Sequence, residues 1–129
     1  MTRTVLIPPA IRDACAQAGM SPGVVSHNHV FLTGVTGAGP DGAMPETEDA
    51  QFNACFAKIA LVLSEAKLGL DAIVEMTSYH VGLRAHFDLF DRVRRAHLSD
   101  PFPAWTAVEV AGLRRPGAVV EIRVVAAMC

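Results

Sequence analysis

The chain reads as one α+β domain over residues 1–129, a single sheet with two helices packed on one of its faces. Three observations predict this. Residues 52–66 and 84–98 repeat apolar side chains at spacings of three and four, the pattern of amphipathic helices. The runs around 24–33, 73–81, 104–110 and 119–126 are rich in β-branched residues and bounded by Gly, Pro or Asn. The order is hairpin, helix, strand, helix, strand, strand, so the second sheet face has no helix to cover it. Hydrophobic residues make up 51% of the chain and charged residues only 19%, and self-association on that face would absorb the surplus apolar area.

The elements follow in order. Val5-Leu-Ile7 is a short apolar run ended by Pro8 and Pro9, which cannot donate to a ladder. Residues 11–18 are alanine-rich and suit a short helical turn. Val24 to Ser26 and Val30 to Thr33 form a hairpin about His27-Asn28-His29, where Asn28 tolerates a left-handed turn conformation. Gly34, Gly37, Gly39, Pro40, Asp41 and Gly42 make a loop able to approach a ligand closely. The first long helix begins after Pro45, with Thr47 as N-cap and Glu48 and Asp49 in its first turn. Phe52, Phe56, Ile59, Leu63 and Ala66 form its buried stripe. After the strand at 73–81 the second helix buries Phe87, Phe90 and Val93 and turns Arg92, Arg94 and Arg95 outward. Pro101 and Pro103 forbid its continuation. The last two strands, 104–110 and 119–126, read as neighbours joined by a turn around Leu113 to Gly117.

Bulk properties narrow the function. Eleven Lys and Arg against 13 Asp and Glu give a net charge of -2, so no basic field exists to hold a nucleic-acid backbone. Cys15, Cys55 and Cys129 are odd in number and widely spaced, which suggests neither a disulfide framework nor a zinc site and fits a reducing cytoplasm. No apolar run approaches membrane-spanning length and no signal-peptide pattern opens the chain, so a soluble, unprocessed protein is expected.

The chemistry concentrates in the last two strands, each with one carboxylate. Alternation puts Trp105, Ala107 and Glu109 on one face of the first. Glu121 sits among Val119, Val120, Ile122, Val124 and Val125, and an acid in such a run needs water, a proton or a partner. Phe31-Leu-Thr-Gly34, Phe87, Phe102-Pro-Ala-x-x-x-Val-Glu-Val-Ala-x-Leu113 and the closing Val-Glu-Ile and Val-Ala126 together resemble the Rid family, the reactive intermediate deaminases, also called YjgF-like or L-PSP endoribonuclease-like proteins. The resemblance spans nearly the whole chain. It implies a chorismate-mutase-like subunit: one mixed six-stranded sheet with two helices on one face, in β-β-α-β-α-β-β order. It also implies a homotrimer with small-molecule ligands bound in clefts between subunits. Family members hydrolyse 2-imino or 2-amino-alkenoic acids to 2-keto acids and ammonia, and grip the substrate carboxylate with an arginine directly after Phe-Pro-Ala.

Here that position is Trp105. The family cysteine two residues on is Ala107, the early Gly-Pro-Tyr survives only as Ser21-Pro-Gly23, and the serine of Thr-Ser-Gly is Gly34. The glutamate of the last strand is kept as Glu121. This pattern, with Thr77-Ser-Tyr-His80, resembles the YjgH-like branch. Indole offers one N–H and a π face in place of a charged fork, so the substrate is expected to be a neutral, aromatic or cationic imine or enamine.

The candidate set is therefore Glu121 as the catalytic residue that positions or activates water, with Trp105, Gly34, Thr36, His80 and Ala107 binding substrate, and no metal or cofactor. Each has a plainer alternative. Glu121 suits an interface ion pair with Arg123 or a neighbour's arginine. Trp105 suits interface packing, Glu109 a bond to backbone donors, and His80 a partly exposed strand end. Cys55 reads as core and Cys129 as a terminal thiol without a base. A non-catalytic metabolite binder is the main alternative function, and an endoribonuclease the second.

Overall fold

A computed structural model describes residues 3–128, and Cys129 lies outside them. The elements are β1 (Thr4–Leu6), α1 (Arg12–Ala18), β2 (Gly23–Ser26), β3 (His29–Leu32), α2 (Glu48–Ser64), β4 (Ile73–His80), α3 (Leu83–His97), β5 (Ala104–Glu109) and β6 (Val120–Ala127). They form one mixed sheet of six strands in the order β1-β2-β3-β6-β4-β5. Only β4 and β5 run parallel, because α3 carries the chain back between them; the other pairs are antiparallel.

The apolar 5–7 run supplies the first strand, and the alanine-rich 11–18 segment is a third, short helix closed by Gly19 in the left-handed region, φ 70°. The hairpin forms as expected, but its left-handed residue is His27, φ 54°, rather than Asn28. Thr47 caps α2 through its hydroxyl, which accepts from Ala50 N–H at 3.4 Å. One larger expectation fails: β5 and β6 are not neighbours. β4 lies between them, pairing parallel to β5 and antiparallel to β6.

The core sits between the sheet and the two long helices. Phe52, Phe56, Ile59 and Leu63 of α2 and Phe90 of α3 meet Val30, Leu32, Met76, Val120, Ile122 and Val124 of the strands, all fully buried or nearly so. Full burial of such a side chain contributes about 1.5–3 kcal/mol. Phe87 departs from the expected stripe and stands over β5 at the sheet edge, partly exposed. Gln51 ties distant loops to the start of α2: its amide donates to the carbonyls of Pro45 and Gly117, each at 3.0 Å, and its oxygen accepts from Val119 N–H at 2.9 Å. That bond set fixes the glycine loop and the approach to β6 against the same helix.

Candidate functional site

Alternation along β6 decides where Glu121 points. Val120, Ile122, Val124 and Ala126 are buried under the helices, so Glu121 and Arg123 project from the opposite, open face, both half-buried. Tyr79 and Thr77 of β4 stand across from them in register. The plainer alternative for Glu121 within one subunit, an ion pair with Arg123, is not formed: the salt bridges among the described residues all involve other groups. Beyond β3 the chain returns to β6 through Val35, which exchanges both backbone bonds with Ile122 at 2.9 Å. This brings Gly34 against the acid: a Cβ at Gly34 would lie 2.5 Å from Glu121 Oε2. The glycine is what makes room for the carboxylate.

Thr36, next along, is buried, with its hydroxyl accepting from Ala38 N–H at 3.4 Å. Lys58 of α2 holds this loop, donating to the carbonyls of Thr36 at 2.8 Å and Ala38 at 3.0 Å. Burial pulls the Lys58 ammonium below its ordinary pKa, while the Cys55 thiolate would draw it back up and Arg115 adds to the lowering. Cys55 donates to Val35 C=O at 3.5 Å, and its thiol is pushed up to about 12 by burial first; Lys58 opposes that shift and the Glu121 charge reinforces it. A thiol so protonated is core, as expected, and no nucleophile.

Trp105, Ala107 and His80 belong to the other face. The parallel register pairs Met76 with Trp105, Ser78 with Ala107 and His80 with Glu109, and Met76, Ser78 and His80 are all buried beneath the helices. Trp105 lies under α3: Phe87 stacks on it with centroids 5.8 Å apart, Phe90 is 5.9 Å away, and the Arg94 guanidinium sits 4.0 Å over its ring. Arg94, expected to face solvent, is turned inward by that contact and is buried, with Nη2 on Asp91 at 2.6 Å and Nε without a partner. The π face that was expected to await a cationic ligand already holds the chain's own cation.

His80 is also corrected. It is not a partly exposed strand end but wholly buried, because α3 starts immediately after β4 and lays His86 and Phe90 over it. Its Nε2 meets Ser78 Oγ at 2.8 Å and its Nδ1 meets His86 Nε2 at 2.9 Å. Burial, with the neighbouring His86 second, lowers its pKa to about 4. No substrate reaches it from solvent in this arrangement. Glu109 has the structural role anticipated for it: Oε1 accepts from Leu83 N–H at 3.0 Å at the start of α3, where Gly82 brings no capping side chain.

Glu121, Gly34 and Thr36 thus come together, whereas Trp105, Ala107 and His80 lie across the sheet. A cleft lined by both Trp105 and Glu121 cannot be made by one subunit. A surface depression lined by Lys67, Asp71, Val74 and Met128 contains none of the candidate residues. Residues that sequence reasoning did not assign are Lys58, Arg94, Ser78, His86 and Glu48. The signal for Ser78 and His80 was their shared strand face, and for His86 its place one turn before Phe90.

The family model described as Endoribonuclease L-PSP matches residues 11–128. The chain belongs to this family. Among L-PSP family relatives it is similar to the RutC family protein YjgH of Escherichia coli K12, 29% identical over 125 residues that cover 96% of this chain and 94% of the relative. The solved structure of a YjgH protein superposes with a TM-score of 0.89 at 27% identity, covering 98% of this chain and 97% of that one. RidA from an Antarctic Psychrobacter species is 31% identical with a TM-score of 0.78, over 83% of this chain and 86% of its own. The YjgH likeness agrees with the branch read from Trp105 and Thr77-Ser-Tyr-His80.

Proposed function

We propose that this L-PSP family protein is a Rid-type hydrolytic deaminase, active as a homotrimer on a small imine or enamine bound between subunits. The observation that carries the reading is Glu121, a half-buried carboxylate without an ion pair on the open sheet face, with Gly34 leaving space beside it. An imine carbon is electrophilic, so hydrolysis needs chiefly a base that orients and activates water, and Glu121 serves as that base. The trimer supplies what one subunit lacks, bringing Trp105 of one copy towards Glu121 of the next. An apolar row across the open face supports this association: Val5, Val24, Phe31 and Val125 stand side by side in register on four strands, with Val5 and Phe31 about two-fifths exposed.

Arg94 changes the expected substrate. Its guanidinium, already paired with Asp91, covers the ring face of Trp105, which disfavours a cationic imine there and leaves a neutral or carboxylate-bearing one. The free, buried thiols of Cys15 and Cys55 suit a reducing cytoplasm, and no helix among the described residues is long and apolar enough to cross a membrane.

The test is ammonia release from freshly generated imines, with and without a free carboxylate, alongside Glu121→Gln. The expected result is turnover of imines that carry no positive charge, reduced about 10²-fold or more in Glu121→Gln. Tight ligand binding without turnover would replace the deaminase with a metabolite binder, and salt-dependent RNA cleavage would favour the nuclease activity in the family's name.

A further inference from the structure

A continuous chain of hydrogen bonds runs beneath α3 from the protein surface to its single tryptophan. Glu48 Oε2 at the start of α2 meets His86 Nδ1 at 2.8 Å, His86 Nε2 meets His80 Nδ1 at 2.9 Å, His80 Nε2 meets Ser78 Oγ at 2.8 Å, and Trp105 Nε1 reaches Ser78 Oγ at 2.9 Å. Ser78, His80 and His86 are buried, whereas the Glu48 side chain is 46% exposed.

The chemistry of the two ends assigns every hydrogen. Indole N–H only donates, so Ser78 Oγ accepts from Trp105; a carboxylate only accepts, so His86 carries its hydrogen on Nδ1. Neutral His86 then accepts at Nε2, and His80 must donate from Nδ1. His80 Nε2 is left as the acceptor for the Ser78 hydroxyl. With both imidazoles neutral the chain is satisfied throughout and points one way, from Trp105 to Glu48.

We infer that Glu48, His86, His80 and Ser78 are positioning residues for Trp105, and that one proton taken up at His86 turns round the His86–His80–Ser78 part of the chain and loosens the serine anchor of the indole. A second hydrogen on His86, at Nε2, makes both of its nitrogens donors, so His80 has to accept at Nδ1 and carry its one hydrogen on Nε2. Ser78 Oγ then receives hydrogens from both His80 and Trp105, and its own hydroxyl loses the acceptor it had. The uptake is one proton from solvent, held between Glu48 and the imidazole.

The charged and titratable groups around the chain agree with this direction. Glu48 on α2 draws the proton to the outer end. His80 on β4 resists a charge of its own because it is buried beside His86. Arg94 on α3 sets a fixed positive charge against the Trp105 ring, and Glu109 of β5 is engaged by Leu83 N–H. The consequence for a ligand rests on the reading of Trp105 as part of the cleft, but the positioning itself is read from the indole alone.

The experiment follows Trp105 emission in the full chain from about pH 8 to about pH 5, the range in which imidazoles titrate, with folding checked by far-UV circular dichroism. The wild type is expected to show one step. Glu48→Gln, a change at a half-exposed side chain that does not disturb the core, should move its midpoint down by about one pH unit, because the carboxylate that favours the charged imidazole is gone. Ser78→Ala should shift the emission at high pH and flatten the step. A wild-type spectrum unchanged across the range, or a midpoint unmoved by Glu48→Gln, overturns the inference. If the step behaves as expected but added carboxylate-bearing imine leaves Trp105 emission unchanged, the positioning chain stands and the placement of Trp105 in the cleft falls.

Discussion

On its covered face the sheet links Ser78, His80 and Trp105 into one chain of hydrogen bonds beneath two helices, while on its open face the same strands leave Glu121 and Arg123 neighbours without an ion pair. Alternation gives β4 and β6 identical opportunities on both sides. What differs is coverage: α2 and α3 exclude water from Ser78 and His80, so these groups must satisfy one another, whereas Glu121 keeps solvent and free acceptor capacity. Fixed geometry and available chemistry have therefore been sorted to opposite faces, and only a second subunit could bring them together.

The sharpest way to break that contrast is to empty the covered face. Phe90 touches Phe52, Phe56, His80 and Trp105, and Phe90→Ala should cost about 3–5 kcal/mol in urea unfolding. Phe31→Ala on the open face should leave the subunit's own stability nearly unchanged and instead weaken assembly, seen as a concentration-dependent fall in mass by sedimentation. Equal losses of stability from both would mean that the open face is no interface.

The next effect is one of pH. Folded His80 has its pKa lowered to about 4 from an ordinary 6.5, so between these values the unfolded chain binds the extra proton and the folded chain does not. Its contribution is complete above about pH 6.5 and declines as the pH falls towards 4, by about 3 kcal/mol in all. Urea midpoints taken across that interval should fall steadily, and less steeply in His80→Gln. A flat profile would show that His80 is wetter than its surroundings imply.

Much of this sidedness was half visible in the chain. The stripe Phe52, Phe56, Ile59, Leu63 and the Thr47 cap fix α2 from local chemistry, and alternation around Glu121 fixes which β6 residues share its face. The phase of one strand relative to another is not local. It depends on β4 inserting between β6 and β5, a pairing that no spacing in 104–126 encodes, and that insertion is what separates Trp105 from Glu121. Arg94 shows the same limit: its helical position reads as solvent-facing until the indole across the gap draws the guanidinium down. His80 was legible as a strand residue but not as a buried one, because its cover arrives from the helix that follows.

A smaller change tests the boundary between the faces. Glu109→Ala removes the carboxylate that accepts Leu83 N–H, and the start of α3 should lose about 1 kcal/mol. Because α3 also carries Phe87 and Arg94 onto Trp105, the emission of that residue should report the loosened helix end even where the melting temperature barely moves.

The smallest effect on stability should accompany a large one on function. Gly34 does not occupy the left-handed region, so alanine is tolerated by the backbone, but its Cβ would press on Glu121 Oε2 at 2.5 Å and the carboxylate has to swing aside. The open face gives it room, which keeps the stability cost of Gly34→Ala under about 1 kcal/mol. If Glu121 orients the attacking water, a displacement of this size costs turnover far more than binding: kcat should fall while KM stays close to the wild type. A KM rise with unchanged kcat would make the Gly34–Glu121 pair a binding feature alone, and the open face a recognition surface rather than a place of catalysis.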